Sequence, residues 1–321
     1  MRNLRWSGRT GPRDDRGVSS RYAPPKDLSS YAWLSIAAAL GTIALKGAAA
    51  WMTGSVGLLS DAAESVINLI AAVMALVVLR IAAKPADADH QFGHSKAEYF
   101  SAITEGVMIF VAAAFIIISA IQRLIDPVMP EQLSVGLLIS VGASVVNGAA
   151  AWVLHRVGKR ERSATLVADA KHLATDVVTS VAVLVGVGLV AAFSSPMLDA
   201  VVALGAGLNI MWTGFKLIKE SVGGLMDVAP SREAQARIEA VLERYHDDGR
   251  IGFHAVRVRE AGNRRFADMH VLVPGTWSVK EGHDFTERVI DELVAVDPNL
   301  RVSAHLEPIE DPKSYEDLED V

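Results

Sequence analysis

Residues 57–82 read GLLSDAAESVINLIAAVMALVVLRIA, an apolar stretch long enough to cross the ~30 Å hydrocarbon core of a bilayer as one helix. Its first half nevertheless carries the polar residues Asp61, Glu64 and Asn68. Apolar stretches of similar length recur along the chain, at 31–53, 99–122, 134–155, 164–193 and 197–217. The sequence therefore predicts an α-helical multi-pass membrane protein with six transmembrane helices.

The composition agrees with a membrane protein and limits its chemistry. Of 321 residues, 51% are hydrophobic and 21% are charged, and the mean hydropathy is positive. The absence of cysteine excludes disulfides, thiolate nucleophiles and cysteine zinc sites, so His, carboxylate and amide groups must hold any metal. Acidic and basic residues are segregated along the chain, and the net charge of −6 gives no reason to expect a nucleic acid partner.

Lysine and arginine are distributed unequally between alternate connections. Most of them lie in an Arg-rich arm, residues 1–30, and in the segments 80–96, 155–162 and 216–219. The alternating connections, 53–56, 126–132 and 194–196, contain none. By the positive-inside rule, both termini are expected in the cytoplasm, as an even number of spans also requires. The arm lacks the apolar segment of a signal peptide and is predicted to be disordered.

A change to a soluble composition after Leu225 predicts a second domain. The expected elements are a helix at 231–245, strands at 251–259 and 265–273, a helix at 278–295 and a strand at 300–306. The order αββαβ is typical of a small two-layer α+β domain of the ferredoxin-like kind. From Glu307 on, the acidic, Pro-containing sequence predicts a solvated tail. We place the transmembrane domain at 31–220, the soluble domain at 221–311 and the acidic tail at 312–321.

Two pairs of polar residues inside the spans are the first candidate site, because ionisable groups in a membrane are costly. Glu64 and Asn68 are four positions apart in the second span, as His172 and Asp176 are in the fifth. This spacing places each pair on one helix face, and two opposed faces would supply three oxygens and one imidazole nitrogen. Four such donors suit a divalent metal, whose charge two carboxylates would neutralise. The alternative is that these side chains only form hydrogen bonds between helices.

Four motifs occur in order along the chain: TGSVGLLSDA at 53–62, HQFGHSKAE at 90–98, HLATD at 172–176 and AHLEP at 304–308. With them, residues 31–311 resemble the cation diffusion facilitator family of proton-coupled metal exporters. The resemblance implies a transport site at Glu64, Asn68, His172 and Asp176. The second-span pair departs from the usual family pattern, in which His or Asp is followed by Asp. Zn²⁺ is the first choice of substrate, and Fe²⁺, Co²⁺, Ni²⁺ and Mn²⁺ remain alternatives.

The resemblance also implies metal sites outside the spans and a homodimer. Asp87, His90 and His94 match a site in the loop between the second and third spans. In the soluble domain, five residues match positions that bind a metal pair at a dimer interface in some members: His254, His270, His283, His305 and Glu307. Lys96 and Asp227 match an ion pair that joins the membrane and soluble parts across the dimer. The segment 221–311 is therefore expected to be a cytoplasmic domain for metal binding and dimerisation.

These observations predict a secondary transporter, not an enzyme, that exports Zn²⁺ from the cytoplasm in exchange for protons. A P-loop for ATP is absent from the sequence, and no prosthetic group is expected, since Zn²⁺ would act as substrate and regulatory ion. Its other partners would be the lipid bilayer and a second copy of the chain, in a bacterial-type inner membrane. Two alternatives remain: an intramembrane metallohydrolase, although the sequence has no HExxH motif, and a metal sensor anchored by its spans.

Overall fold

Six long helices form the first part of the computed structural model, which describes residues 26–53, 56–126, 135–193, 195, 197–247 and 249–320. They are α1 (Ser29–Thr53), α2 (Val56–Ala82), α3 (Ala97–Ile125), α4 (Val135–Glu161), α5 (Ala164–Phe193) and α6 (Met197–Leu225). The shortest has 25 residues and the longest 30. At ~1.5 Å per residue, each is long enough to cross a bilayer.

Three of these helices contain segments that meet both the length and the composition of a membrane span within the described residues: Ser29–Ala48, Ala97–Ile125 and Ala200–Leu225. The described part of α2 adds a shorter apolar segment, Asn68–Ala82. Together the six helices form the helical transmembrane domain that the sequence predicts.

Three helices, α3, α4 and α6, extend further toward the soluble domain than the predicted spans. In particular, α6 continues to Leu225, so the predicted boundary between residues 220 and 221 lies inside a helix. Ser221 lies in this continuation, where it is buried and its Oγ donates to the carbonyl oxygen of Leu217 at 2.8 Å. At the other end, α1 begins at Ser29, and residues 1–25 of the predicted arm lie outside the described residues.

The fifth helix lies between two apolar clusters. Leu166 and Leu173 pack in the first, together with side chains of α1, α2 and α4: Ala32, Ile36, Ala72, Leu76, Ala150 and Leu154. Ala168 packs in the second, together with side chains of α3 and α6: Ala102, Ile109, Ala113, Ile210 and Leu217. Both clusters are rich in small residues, which let transmembrane helices approach closely. The helix α5 therefore contacts α1, α2 and α4 through one cluster and α3 and α6 through the other. Its polar side chains can form hydrogen bonds with residues of either group.

The second part of the chain is a three-stranded sheet with two helices. Its elements are α7 (Arg232–Glu243), β1 (Gly252–Ala261), β2 (Arg264–Val273), α8 (Val279–Val296) and β3 (Leu300–Pro308). The strand order is β1-β2-β3, with β1 antiparallel to β2 and β2 parallel to β3 through the crossover helix α8. The helices and the sheet share one core that includes Val241, Met269, Val271, Val289 and Leu293. This αββαβ domain agrees with the predicted fold class.

The predicted solvated tail is tied to the end of β3 at two points, while most of its described side chains are exposed. Glu307 is buried inside β3, and residues 312–320 form a 3₁₀ helix (Pro312–Asp320). Ser314 is buried and its Oγ donates to Pro308 O at 2.8 Å, while Tyr315 Oη donates to Ile309 O at 2.9 Å. The two hydroxyl groups thus fix this segment to the end of β3, and the side chains of Pro312, Lys313, Tyr315 and Glu316 remain exposed.

The turn between β1 and β2 rests on the beginning of α3. Gly262 has a φ of +60°, and its N–H donates to Tyr99 Oη at 2.9 Å. A Cβ at this position would lie 2.5 Å from the carbonyl oxygen of Ser95, so the close approach requires glycine. The soluble domain is therefore in direct contact with the loop that precedes α3.

An ion pair between Lys96 and Asp227 joins the two parts of the chain at 2.8 Å. Within this single chain the pair already forms, since Asp227 follows the end of α6. The role across a dimer that the resemblance implies stays a prediction. Arg259 of β1 is a second partner of Asp227, at 2.9 Å. Burial alone would raise the pKa of the Asp227 carboxyl, but hydrogen bonds from Lys96 and Arg259 outweigh it and lower that pKa.

Candidate metal centres

A buried polar group joins α2 to α5 inside the transmembrane domain. Asn68 is 6% exposed and His172 is 9% exposed. Asn68 Oδ1 lies 2.9 Å from His172 Nε2, and Asn68 Nδ2 donates to Asp176 Oδ2 at 2.5 Å. The structure thus brings together three of the four side chains that the sequence predicts for an intramembrane site.

The fourth predicted residue, Glu64, lies in α2 one helical turn before Asn68. A separation of four residues places its Cα on the helix face that carries Asn68. The side chain of Glu64 lies outside the described residues, so its role as a ligand stays a prediction.

Asn147 of α4 belongs to this group and was missed from the sequence. It is 2% exposed, and its Nδ2 donates to Asp176 Oδ2 at 3.1 Å. Its Oδ1 has no hydrogen-bond partner among the described residues. A buried amide oxygen without a partner is uncommon, because leaving it unsatisfied costs free energy. The only signal in the sequence was a single asparagine in an apolar span, without a polar residue four positions away.

The group combines nitrogen and oxygen donors from three helices. One imidazole, one carboxylate and two amides converge through hydrogen bonds of 2.5–3.1 Å. Such short separations place the donor atoms within reach of a single ion. A mixed set of this kind suits divalent transition metals, and it does not select one of them by chemistry alone.

Asp87, His90 and His94 form a second group, in the loop between α2 and α3. Asp87 Oδ2 lies 3.2 Å from His94 Nε2, and Asp87 Oδ1 lies 3.5 Å from His90 Nδ1. Ligand atoms of all three residues lie within 4.8 Å of one another. The backbone N–H of His90 donates to Asp87 at 2.7 Å and lowers the pKa of that carboxyl. The hydrogen bond therefore favours the ionised form, which is the form that binds a metal.

A row of three histidines crosses the sheet of the soluble domain. The register places His254 of β1 opposite His270 of β2, and His270 opposite His305 of β3. Glu307 follows two residues after His305 and shares its face of the strand. Glu307 Oε2 lies 2.9 Å from His254 Nε2 and 3.2 Å from His270 Nδ1, and its Oε1 lies 3.4 Å from His305 Nδ1. The sheet thus brings together four of the five predicted residues, with the three histidines around the carboxylate of Glu307.

Within this row, the ligand atoms of His254, His270 and Glu307 lie within 4.8 Å of one another. Nδ1 of His254 and Nδ1 of His270 have no hydrogen-bond partner among the described residues, so the 3.2 Å approach of His270 to Glu307 lacks the geometry of a hydrogen bond. His305 is the outer member, with a side chain that is 69% exposed. The register of β1 shifts directly after His254, at a β-bulge where Ala255 has a φ of +47°. Bulges of this kind are over-represented beside binding sites.

The fifth predicted residue, His283, is exposed on α8 and joins neither of the clusters found among the described residues. The resemblance places this position at an interface between two chains. Its predicted role therefore depends on a second copy of the chain.

Comparisons with known proteins bear on the whole arrangement. The cation efflux transmembrane domain family matches residues 32–226, which is more than half of the chain. The chain belongs to the cation diffusion facilitator family. The cytoplasmic domain of cation efflux proteins matches residues 230–309, which contain the row of histidines.

Two relatives align with most of this cation diffusion facilitator. An uncharacterized transporter from Synechocystis sp. is 48% identical over 300 residues, which are 93% of this chain and 94% of the relative. The cation-efflux pump FieF of Citrobacter koseri is 31% identical over 259 residues, which are 80% of this chain and 85% of the relative. Among solved structures, the metal-bound C-terminal domain of the CzcD transporter from Thermotoga maritima is 30% identical. The alignment covers 26% of this chain and 99% of that domain, with a TM-score of 0.23.

Membership of this family means that the chain is an integral membrane protein that exports cations, and not an enzyme. The intramembrane metallohydrolase and the anchored sensor, both open from the sequence alone, are therefore excluded. The identity of the cation does not follow from family membership.

Proposed function

We propose that this cation diffusion facilitator exports Zn²⁺ from the cytoplasm in exchange for protons, with Glu64, Asn68, His172 and Asp176 as its transport site. One observation carries the proposal. Buried inside the transmembrane helices, Asn68 contacts both His172 and Asp176, at 2.9 and 2.5 Å. Ionisable groups such as His172 and Asp176 are rare inside membrane spans, because a bilayer penalises them heavily, and they commonly mark ion pathways.

Exchange with protons follows from the chemistry of these ligands. A metal binds the neutral imidazole of His172 and the ionised carboxylate of Asp176, so protons compete with the metal for the same atoms. A site that alternates between the two sides of the membrane would release its metal where protons are abundant. The proton gradient then drives metal efflux.

Zn²⁺ is the preferred substrate because imidazole and carboxylate are usual zinc ligands. The amide of Asn68 stands where a carboxylate would bring further negative charge, and Asn147 offers a second amide oxygen. Amide and carboxylate oxygens also suit Mn²⁺ and Fe²⁺, and imidazole suits Co²⁺ and Ni²⁺, so these four cations are the alternatives.

The other two clusters lie where cytoplasmic metal would reach them. With the Lys- and Arg-rich connections inside, both termini and the soluble domain are in the cytoplasm of a bacterial-type inner membrane. We infer that the chain is a homodimer whose soluble domains bind metal through His254, His270, His305 and Glu307, with His283 contributing at the interface. Metal bound there, and at Asp87, His90 and His94, would favour the transporting arrangement.

The decisive experiment is transport by purified protein in proteoliposomes with an imposed pH gradient. An internal metal-sensitive dye reports the entry of Zn²⁺, Fe²⁺, Co²⁺, Ni²⁺ or Mn²⁺, and a pH-sensitive dye reports proton movement. We expect Zn²⁺ to be carried fastest, with protons moving in the opposite direction. Transport of Mn²⁺ or Fe²⁺ without Zn²⁺ would overturn the choice of metal, and metal flux indifferent to the pH gradient would overturn the exchange.

Replacing Asn147 by alanine should weaken metal binding at the transport site by about 10- to 100-fold, the range for a residue that orients a ligand. The variant removes the hydrogen bond to Asp176 and the unpartnered Oδ1. The concentration of Zn²⁺ that gives half-maximal flux measures the loss. Asn209→Ala is the matched control, because Asn209 is exposed on α6 and its replacement should leave this concentration unchanged. Equal behaviour of the two variants would remove Asn147 from the site.

A further inference from the structure

The last turns of α4 carry a strip of polar and aromatic side chains on one side of the helix. The strip consists of Trp152, His155, Arg156 and Lys159, at positions i, i+3, i+4 and i+7, which share one helix face. All four side chains are exposed, that of Trp152 to 64%. We call these four residues the α4 basic strip.

The opposite side of α4 is packed against α5. Leu154 and Val157 are buried and belong to the same apolar cluster as Leu166. A Cβ at Gly158 would lie 2.9 Å from the backbone nitrogen of Val167, so the two helices are in close contact here. The α4 basic strip therefore faces away from α5, toward the bilayer that surrounds an integral membrane protein.

The two cations of the strip lack an acidic partner, unlike the basic residue that follows them. Arg160 forms an ion pair with Glu161, with its Nε 2.8 Å from the carboxylate. Among the described residues, neither Arg156 nor Lys159 forms an ion pair. The strip thus presents two positive charges that no acidic side chain in the described part of the chain offsets.

Trp152 and Arg156 contact each other along the strip. Arg156 Cζ lies 5.6 Å from the centroid of the Trp152 ring, a cation–π contact that holds the guanidinium along the exposed side of the helix. Tryptophan is enriched where hydrocarbon meets headgroups. At ~1.5 Å per residue, Lys159 lies ~10 Å beyond Trp152 along the helix axis. The strip is therefore long enough to extend from the edge of the hydrocarbon through the headgroup layer.

We propose that the α4 basic strip binds the headgroup of one anionic phospholipid, such as phosphatidylglycerol. Arg156 and Lys159 donate charge-assisted hydrogen bonds to the phosphate, while the indole of Trp152 contacts the glycerol and the first acyl carbons. A zwitterionic headgroup carries its own cation, which the strip repels. A free phosphate lacks the apolar part that lies against Trp152, so the occupant is a lipid.

The position of the strip in the bilayer rests on the orientation given under the proposed function. In that orientation the strip lies in the cytoplasmic leaflet, whose anionic lipids attract lysine and arginine beside membrane spans. Lipid binding is measured without Zn²⁺ and without a pH gradient. Its outcome is therefore independent of whether the transport proposal is correct.

Native mass spectrometry of the purified full-length chain, titrated with phosphatidylglycerol or with phosphatidylcholine of the same acyl chains, tests the site. The wild type should bind its first phosphatidylglycerol more tightly than phosphatidylcholine. Arg156→Gln and Lys159→Gln should each weaken that binding about fivefold, and the double variant about 25-fold, since each cation contributes ~1 kcal/mol. Trp152→Leu should weaken it about two- to fivefold. Lys216→Gln is the matched control: this exposed cation of α6 lies 3.8 Å from Glu220, and its loss should leave the affinity unchanged.

Four results would overturn the proposal. Equal affinity of the wild type for the two lipids would show that the strip does not select headgroup charge. An equal loss in Lys216→Gln and Arg156→Gln would indicate diffuse attraction by the net charge of the chain. Displacement of the lipid by excess glycerol 3-phosphate would assign the strip to a soluble phosphate. A lower dimer fraction in the double variant, with unchanged binding of phosphatidylglycerol, would make the strip a contact between two copies of the chain.

Discussion

Replacement of Asp176 by alanine is expected to abolish metal-driven proton flux in proteoliposomes. Asp176 accepts hydrogen bonds from Asn68 at 2.5 Å and from Asn147 at 3.1 Å, so it links the polar side chains of three helices. Outer partners of a metal ligand contribute about 10- to 100-fold, and removal of the ligand itself should exceed that range. Flux should therefore fall more than ~100-fold.

Two further variants make this result specific. Asp176→Asn keeps the shape and an oxygen acceptor but removes the charge, and it should be inactive if the carboxylate is a metal ligand. Asp126→Ala changes an exposed carboxyl at the end of α3 and should retain wild-type flux. Wild-type flux in Asp176→Ala, with a normal size-exclusion profile, would show that the transport site lies elsewhere.

The intramembrane site was predictable where the helix repeat carried the information. His172 and Asp176 are four residues apart, so one face of α5 was assigned from spacing, and Asn68 contacts both of them. Asn147 could not be found in this way, since a single amide in a span fits many roles and its partner lies on another helix.

In the soluble domain, too, some features could be predicted from the sequence and others could not. Alternation along the strands predicted the order αββαβ, and the shared face of His305 and Glu307 followed from a separation of two residues. The alignment of His254 with His270 and His305 depends on the pairing register of three strands, which no local pattern reveals. The packing of the last segment was missed for the same reason, because its anchors are contacts with β3.

Arg265→Met is expected to destabilise the soluble domain by about 3–5 kcal/mol, the cost of removing one partner from a buried ion pair. Arg265 is 5% exposed, and its guanidinium lies 2.6 Å from Asp297 and 2.7 Å from Glu260. Asp297 also contacts Arg162 in the link between α4 and α5, so the loss would loosen the attachment of the domain to the helices. Methionine retains much of the side-chain volume, which isolates the effect of charge.

Hydrogen exchange of the β2 amides in the full-length chain measures this change, because local opening sets their rate. At ~1.4 kcal/mol per tenfold, exchange should accelerate by roughly 100- to 5,000-fold in Arg265→Met. Lys280→Met is the control: Lys280 pairs with Asp284 on the surface, its side chain is 81% exposed, and such a pair contributes at most ~1 kcal/mol. Equal exchange rates in the two variants would mean that the contacts of Arg265 are no stronger than a surface pair. A large difference would identify this buried cluster as the support that holds β2, and with it His270, in register beside Glu307.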